Sequence, residues 1–392
     1  MASRVSVAPL VLQWAVDRSG RSAEDLAKFP ISEWLAGATS PTMRQLEDFA
    51  RATYVPVGYM FLQEPPEEFV PISDFRTFND ASVRRVTPNL LDTIYACEQR
   101  QDWFHEFAEA HGSDPVELVE SMDLDVPVVE AASRLRDYLG FDLDRRTAFS
   151  NWTAALVGLT EHAEDAGVLV MTNGVVGSNT QRRLDPKEFR GFALADELAP
   201  VVFVNGADTK AAQIFTLAHE LAHLCLGQSA VSRPDLAQLD EDTPIQGPGH
   251  RARVSERWCN QVAAELLVPA ASLRGTYEPS GDLTAELDRL AKFYKVSTLV
   301  VLRRVADVGL MEQSQYRGAY DAELQRVLDL AGERTPGGSF YNTTPVRVSK
   351  RFARALISDT LEGRTSHRDA FRLLGSKKLS AFQELGSRLG VA

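Results

Sequence analysis

The sequence has little cysteine: Cys97, Cys225 and Cys259 are odd in number and far apart. A small secreted domain stabilised by disulfides needs more cysteines, in even number and at closer spacing, so this class of protein is excluded. Unpaired thiols persist in reducing compartments, and we therefore expect a cytoplasmic protein.

Long apolar stretches are also missing. No run of about 18 apolar residues is present, so the sequence predicts no membrane-spanning helix and no membrane partner. Residues 1–20, MASRVSVAPLVLQWAVDRSG, lack the apolar segment of a signal peptide. The chain of 392 residues is 44% hydrophobic and 24% charged, which is typical of a globular protein with two or three domains.

Positive charge is scarce overall, since the formal net charge is −12 at pH 7. This charge argues against nucleic-acid binding over the whole surface. Residues 345–378 are the exception, with nine Lys and Arg against three Asp and Glu. A basic segment of this kind binds nucleic acid, an acidic partner or the chain's own acidic surface, and these three alternatives remain open.

Residues 8–62 predict a bundle of short helices, one of them over 22–29, arranged as a helix-turn-helix unit. The candidate recognition helix PISEWLAG, residues 30–37, contains no Lys or Arg, and residues 1–70 hold nine acidic against six basic side chains. Such a domain offers few phosphate contacts. Arg44 and Gln45, near the start of the next helix, are the candidate DNA contacts. A packing, dimerisation or docking role is the alternative.

The rest of the chain predicts an α+β fold that is mostly helical, with a small sheet of about three strands. Helical periodicity covers 88–120 and 127–166, and strand-like runs follow at 167–171, 189–194 and 200–205. A helix is expected from about Asp208 to Gly227, then a loop over 228–250 and a second helix that ends before Pro269. Further helices are predicted over 283–306, 319–331, 345–361 and 366–389.

The most informative stretch is FTLAHELAHLCLG, residues 215–227, because it contains His219, Glu220 and His223. Side chains four residues apart lie on the same face of an α-helix, so the two imidazoles can share one zinc ion. Glu220 follows the first histidine directly and can act as general base toward a water molecule at this site. The alternative is an ordinary amphipathic helix that carries two hydrogen-bonded histidines.

A catalytic zinc site needs a third protein ligand, which must come from another segment. Glu256 in SERWCNQ suits this role, and Asn260, one turn later on the same face, can hydrogen-bond a ligating histidine. Glu265 is the rival ligand. A separation of nine residues places the two side chains about half a turn out of phase around the helix, so only one of the two carboxylates can face the metal. Cys259 also suits zinc, although a small buried side chain is the simpler interpretation.

A His-Glu-x-x-His helix is typical of metalloproteases, and peptide hydrolysis would also need a group that stabilises the oxyanion and a place for the substrate. Arg190, Tyr277 and His250 have suitable chemistry for the first task. FRGFAL, residues 189–194, is expected to form an exposed sheet edge, to which a substrate adds as an extended strand.

Together, these segments resemble the ImmA/IrrE family of zinc metallo-endopeptidases. The resemblance rests on FTLAHELAHLCLG and SERWCNQVAAELLVP and on the neighbouring LDPKEFRGFALADELAPVVFVNGADT and AKFYKVSTLVVLRRVADVGL. Family members usually have Glu-x-x-Ala-Asn-x-Phe-Ala in the second motif, whereas this chain has Cys259 in place of Ala and Val262 in place of Phe. WLAGATSPTMRQLEDFARATYVPVGYMFL and PISDFRTF are similar to Xre-type helix-turn-helix domains, and their connectors, fused to such peptidases.

The resemblance implies that Zn2+ is the cofactor, that His219, His223 and Glu256 are its ligands and that Glu220 is catalytic. It also implies a zincin-like domain. On this basis the chain divides into five segments: a helix-turn-helix domain (1–66), a linker and helical connector (67–126), the metallopeptidase domain (127–275), its helical extension (276–335) and a basic helical C-terminal segment (336–392).

Two functions follow from the resemblance. The first is an endopeptidase that cleaves a repressor or antitoxin-like protein and thereby switches a stress, prophage or mobile-element response. The second is an antitoxin or transcriptional regulator that binds a partner toxin or DNA, with little or no proteolysis. The intact His-Glu-x-x-His motif favours the first, because a protein that uses this fold only as a scaffold has no need for Glu220.

Overall fold

The computed structural model describes residues 4–68, 72, 86–232, 250–278, 281–330, 340–376 and 378–391. Most of these residues are helical and a few short strands make up a small sheet, which confirms the predicted α+β class. Within these ranges no helix has the length and apolar character needed to cross a bilayer. Residues 69–71 and 73–85, which include most of the PISDFRTF segment, and residues 233–249, most of the predicted loop, lie outside the described residues.

The chain forms two compact units, residues 1–71 with 80–94 and residues 72–79 with 95–392. The finer boundaries given above stay predictions. The first unit contains helices α1 (Pro9–Ser19), α2 (Ile31–Leu35) and α3 (Met43–Thr53) and a 3-10 helix at Val57–Phe61. Its core brings together Phe29, Trp34 and Phe49, whose rings pack against one another.

The predicted helix over residues 22–29 is wrong, since this segment forms turns. Ser22 and Asp25 do exchange the hydrogen bonds of a helix start. However, the segment is short, and Pro30 disfavours helical backbone at the residue before it. The candidate recognition helix α2 has only five residues and buries its Trp34, which is 4% exposed. The helix-turn-helix assignment therefore stays a prediction.

Helix α4 (Pro88–Ala110) contributes residues to both units and ends ten residues earlier than predicted. The predicted continuous helix over 127–166 is in fact three helices, α5 (Val128–Leu139), α6 (Leu143–Thr147) and α7 (Trp152–Asp165). Gly140, in the left-handed region with φ 58°, ends the first of them. Side chains of Asp142 and Asn151 cap the next two.

The sheet of the second unit confirms the three predicted strands and adds others. Six strands occur in the described residues: β1 (Leu169–Asn173), β2 (Val175–Val176), β3 (Asn179–Arg183), β4 (Gly191–Leu194), β5 (Val201–Asn205) and β6 (Ala230–Ser232). Four of them form a mixed sheet in the order β1-β5-β4-β6, while β2 and β3 form a hairpin. β1 is parallel to β5, and β4 is antiparallel to β5 and β6.

The predicted edge position of FRGFAL is therefore wrong, because β4 has a hydrogen-bonded neighbour on both sides. The strand that covers it, β6, follows it by more than thirty residues in the chain. Sheet order depends on such distant pairings, which the local pattern of one strand does not contain. A substrate strand therefore cannot pair directly with residues 189–194, and the hypothesis that it does is wrong.

Helix α8 (Lys210–Cys225) carries the two histidines of the motif and packs against the sheet. Thr209 begins the helix, because its hydroxyl accepts a hydrogen bond from the backbone N–H of Ala212. Apolar side chains of the helix, including Leu217 and Leu221, join those of the strands in one core. The helix is thereby buried on most sides, and its polar residues 219, 220 and 223 are also withdrawn from water.

Side chains of the next five helices belong to this core, and four further helices follow toward the C-terminus. They are α9 (His250–Leu267), α10 (Ala270–Thr276), α11 (Leu283–Tyr294), α12 (Thr298–Asp307), α13 (Gln313–Leu330), α14 (Phe340–Val348), α15 (Lys350–Leu361), α16 (His367–Leu374) and α17 (Leu379–Leu389).

The basic segment 345–378 makes many contacts with its own chain. Lys350 Nζ lies 2.8 Å from Glu161 Oε1, and Arg364 Nε lies 2.6 Å from Asp359 Oδ1. Arg351 sits 5.7 Å above the ring of Phe104. Of these three contacts, that of Lys350 is with an acidic side chain outside the segment, and the role of the segment stays a prediction.

Candidate metal centre

The two histidines of α8 point to the same place in the interior. His219 is 3% exposed and His223 is 0% exposed. Their Nε2 atoms are 3.0 Å apart, and their ring centroids are 4.7 Å apart. This is the geometry expected for residues one helical turn apart. The Nε2 atoms of the two rings face a common point.

Helix α9 packs along α8 and supplies a carboxylate to that point. Glu256 Oε1 lies 3.1 Å from His223 Nε2, and Glu256 Oε2 lies 3.3 Å from His219 Nε2. Burial by itself would raise the pKa of the Glu256 carboxyl, but the two histidines overcome this effect and hold the pKa well below its usual range. Glu256 therefore presents an anion to the histidines although it is only 3% exposed.

The three side chains fit a divalent cation. Their ligand atoms all lie within 4.8 Å of one another and all three residues are buried. Neutral imidazole nitrogens and carboxylate oxygens all present lone pairs, so a buried group of this kind is stabilised by a cation between them. Two histidines and one glutamate are a ligand set that zinc accepts, and three protein ligands leave a further position open.

Glu220 lies beside this group and is completely buried. The hydroxyl of Ser232, the last residue of β6, donates a 2.6 Å hydrogen bond to its Oε1. Its Oε2 has no hydrogen-bond partner among the described residues. Burial raises the pKa of Glu220 to about 8, against the opposing effects of His219 and of the Ser232 hydrogen bond. A carboxyl group that titrates near neutral pH can both take up and release a proton.

Gly191, the first residue of β4, allows α8 to approach the sheet closely. A Cβ atom at this position would lie 2.5 Å from Thr216 Cγ2, 2.7 Å from the carbonyl oxygen of Phe203 and 3.0 Å from Glu220 Oε1. The first two distances are shorter than any normal contact. The absence of a side chain at residue 191 therefore fixes how near the carboxylate of Glu220 lies to the strand.

The predicted contact of Asn260 with a ligating histidine is not formed. Nδ1 of His219 and Nδ1 of His223 have no hydrogen-bond partner within the part of the chain that the structure describes. The Nε2 atoms of both rings face Glu256. Asn260 instead lines the cleft next to Glu256.

The rival ligand Glu265 has a different partner. Arg304 donates a hydrogen bond to its Oε2 and a second, of 3.0 Å, to the carbonyl oxygen of Val268. Glu265 also accepts a 3.2 Å hydrogen bond from the N–H of Ala270, at the start of α10. Glu256 and Glu265 thus lie about half a turn apart around α9. Glu256 faces the histidines, and Glu265 forms an ion pair with Arg304. Cys259 is fully buried in the apolar core, as the simpler interpretation predicts.

A cleft opens beside the three candidate ligands. Of the three residues considered for oxyanion stabilisation, Arg190 lines this cleft, whereas Tyr277 and His250 are not among its described lining residues. Sequence reasoning missed Ser232 and Gly191, because the first belongs to a three-residue strand and the second resembles any other glycine in a strand. The described lining of the cleft consists of Arg190, Phe215, Thr216, His219, Ser232, Glu256 and Asn260.

A comparison with protein families assigns the segment that holds this group of side chains. Residues 163–306 match the IrrE N-terminal-like domain, Peptidase_M78. The matched segment contains the whole sheet, α8, α9 and every candidate ligand. A second family, a domain of unknown function (DUF8813), matches residues 348–388. No curated protein matches the chain.

The match to the IrrE N-terminal-like domain supports the ImmA/IrrE family and a metallopeptidase-type function in general. The buried group of His219, His223 and Glu256 is compatible with the metal dependence that is typical of this family. Neither match reaches residues 1–66, so Arg44 and Gln45 stay predicted DNA contacts. Both are exposed near the start of α3, where Gln45 also caps the helix together with Thr42.

Proposed function

We propose that the protein is a zinc-dependent endopeptidase, with His219, His223 and Glu256 as metal ligands and Glu220 as general base. The observation that carries the proposal is the position of Glu220. Its carboxyl group is fully buried, interacts electrostatically with His219 and Glu256, and has one oxygen held in place by the hydroxyl of Ser232. A group used only for structure needs no such free, oriented carboxylate oxygen.

Each residue has a separate task in the proposed reaction. When bound, the zinc ion would supply Lewis-acid chemistry, activating a water molecule and polarising the scissile carbonyl. Ser232 fixes Oε1 of Glu220, which leaves Oε2 to accept the proton of the attacking water. Glu220 then transfers this proton to the leaving amine.

We further propose that the substrate is a regulatory protein, of the repressor or antitoxin type, in a stress, prophage or mobile-element response. This step rests on the resemblance to the ImmA/IrrE family and on the helical N-terminal unit, which suits a docking role for a protein partner. DNA binding by that unit has less support, because its candidate recognition helix is short, buries Trp34 and carries no basic side chain.

The substitution Glu220→Gln tests the proposal, because it keeps the size of the side chain and removes the base. Zinc-loaded wild-type protein and the variant are incubated with a defined library of synthetic peptides, and new peptide termini are identified by mass spectrometry. We expect cleavage by the wild-type protein, loss of at least about 100-fold of the rate in the variant, and the same zinc content in both.

If the protein acts by binding a partner and not by proteolysis, a different result is expected. Neither protein would then cleave the library, and in cells the variant would keep the biological effect of the wild type. That outcome would favour the antitoxin or regulator hypothesis over the peptidase.

A further inference from the structure

Arg190 is the cationic side chain of the cleft beside the candidate ligands. Its backbone is fixed on both sides by the sheet. The N–H of Arg190 donates a 2.9 Å hydrogen bond to the carbonyl oxygen of Ser232, and its own carbonyl oxygen accepts a 2.8 Å hydrogen bond from the N–H of Asn205. The residue therefore has a defined position, one residue before β4 and directly across from the serine that holds Glu220.

The guanidinium of Arg190 is only partly engaged by the protein. Within the described residues, its ionic partner is Asp208, whose Oδ2 lies 3.8 Å from Arg190 Nε. This distance is too long for a hydrogen bond, and neither of these two atoms has a hydrogen-bond partner in the described part of the chain. Both atoms are nevertheless buried, which orients the base of the guanidinium, while 42% of the side chain is exposed.

A guanidinium held in this way can donate hydrogen bonds from its N–H groups to an anion. It has five N–H donors in a planar fork that matches a carboxylate, and an Arg–carboxylate pair is stronger and more directional than a neutral hydrogen bond. The other described residues that line the cleft are Phe215, Thr216, His219, Ser232, Glu256 and Asn260. None of these offers a second fixed cation, so selection of an acidic group would depend on Arg190.

We infer that Arg190 determines substrate specificity by binding the carboxylate of an Asp or Glu side chain close to the scissile bond. This inference rests on the proposed peptidase function. It adds the chemical class of the substrate, a protein segment with an acidic residue at one fixed position relative to the cleaved bond. Asp208 orients the guanidinium, and the exposed part of Arg190 contacts the substrate.

The test compares zinc-loaded full-length wild-type, Arg190→Gln, Arg190→Glu and Arg145→Gln proteins on one peptide library with amidated C-termini. Arg145 is an exposed arginine of α6 and does not line the cleft, so it serves as the matched control. The best cleaved peptide is then resynthesised with its acidic residue replaced by the corresponding amide, and also with a free C-terminus. Zinc content and circular dichroism check that every variant is folded and loaded.

We expect the wild type and Arg145→Gln to cleave acidic peptides with a kcat/KM about 10- to 100-fold higher than that of the amide peptides. Arg190→Gln removes this preference, so that acidic and amide peptides are cleaved with nearly equal kcat/KM. Arg190→Glu transfers the preference to peptides with Lys or Arg at the same position. A gain from the free C-terminus, with no effect of the internal acidic residue, would assign Arg190 to a terminal carboxylate and overturn the inference.

The results distinguish a failure of the proposed peptidase function from a failure of the proposed role of Arg190. If zinc-loaded wild type cleaves no peptide, the proposed function fails and the inference fails with it. If wild type cleaves without preferring acidic residues, or if Arg190→Gln keeps the preference, only the role of Arg190 is overturned.

Discussion

The hydroxyl of Ser232 donates a 2.6 Å hydrogen bond to Oε1 of Glu220, which joins the edge strand of the sheet to the carboxylate of the His-Glu-x-x-His motif. Ser232 is the last residue of β6, and its carbonyl oxygen also accepts the N–H of Arg190. One residue of a short strand therefore positions both the candidate base and the candidate specificity residue.

Substitution Ser232→Ala should reduce kcat by about 10- to 100-fold, because Glu220 loses the donor that orients it. Zinc content and KM should change little, since Ser232 is not a ligand. Ser232→Thr keeps a hydroxyl and should recover most of the rate. Steady-state kinetics on a cleaved peptide measure the effect. If Ser232→Ala lowers the zinc content and leaves kcat unchanged, the role of Ser232 in orienting Glu220 is contradicted.

Substitution Gly191→Ala should destabilise the protein by about 1–3 kcal/mol and lower its activity, because the added methyl group overlaps the side chain of Thr216 and the carbonyl oxygen of Phe203. Gly275→Ala is the matched control. A Cβ at Gly275, in α10, meets nothing within 4 Å, and alanine is the better helix former there. Urea unfolding measures both variants; equal stability of the two would show that α8 does not need the close approach at residue 191.

Substitutions of Glu256 and of Arg304, the ionic partner of Glu265, should have different effects. Glu256→Gln should lower zinc affinity while the fold is retained. Arg304→Ala should keep the zinc site and destabilise the fold by about 3–5 kcal/mol, because it leaves Glu265 buried without its cation. Zinc titration and thermal unfolding of the two variants give the comparison. Loss of zinc in Arg304→Ala, in a folded protein, would point to Glu265 as the ligand.

The pair of His105 and Asp196 predicts a pH dependence outside the metal centre. Their contact of 2.9 Å, chiefly as a hydrogen bond from the imidazole, raises the pKa of His105. The stability that the pair adds is complete below the unfolded pKa of about 6.5 and is lost as the pH rises through the higher folded pKa. Because the pair is partly exposed, the change should be about 1 kcal/mol or less.

An NMR titration of the histidine side chains checks this prediction. His105 should titrate above the ordinary histidine pKa in the wild type, and Asp196→Asn should return it toward that value. A His105 pKa that is the same in both proteins would show that the contact with Asp196 does not form in solution.

Local sequence patterns predicted those parts of the site that depend on one element. The four-residue spacing of His219 and His223 is a property of a single helix, and Thr209 and Gly227 mark its ends. The caps that divide residues 127–166 into three helices, including Gly140 and Asn151, were also visible in the sequence, although the helical periodicity concealed them.

The other parts of the site depend on how elements that are distant in the chain pack together. Local sequence patterns do not contain that information. Periodicity showed that Glu256 and Glu265 lie on opposite faces of α9, but only the packing of α9 on α8 decides which face meets the histidines. The position of β4 between β5 and β6, and with it the contact of Ser232 with Glu220, follows from a strand of three residues that has no pattern of its own.

The metal content of the purified full-length protein tests the central claim most directly. Inductively coupled plasma mass spectrometry of the wild type and of His223→Ala, each after zinc addition and desalting, gives the number of metal ions per chain. We expect about one zinc ion per wild-type chain and none in the folded variant. A wild-type protein that holds no metal, even after zinc has been added back, would contradict the proposed zinc site.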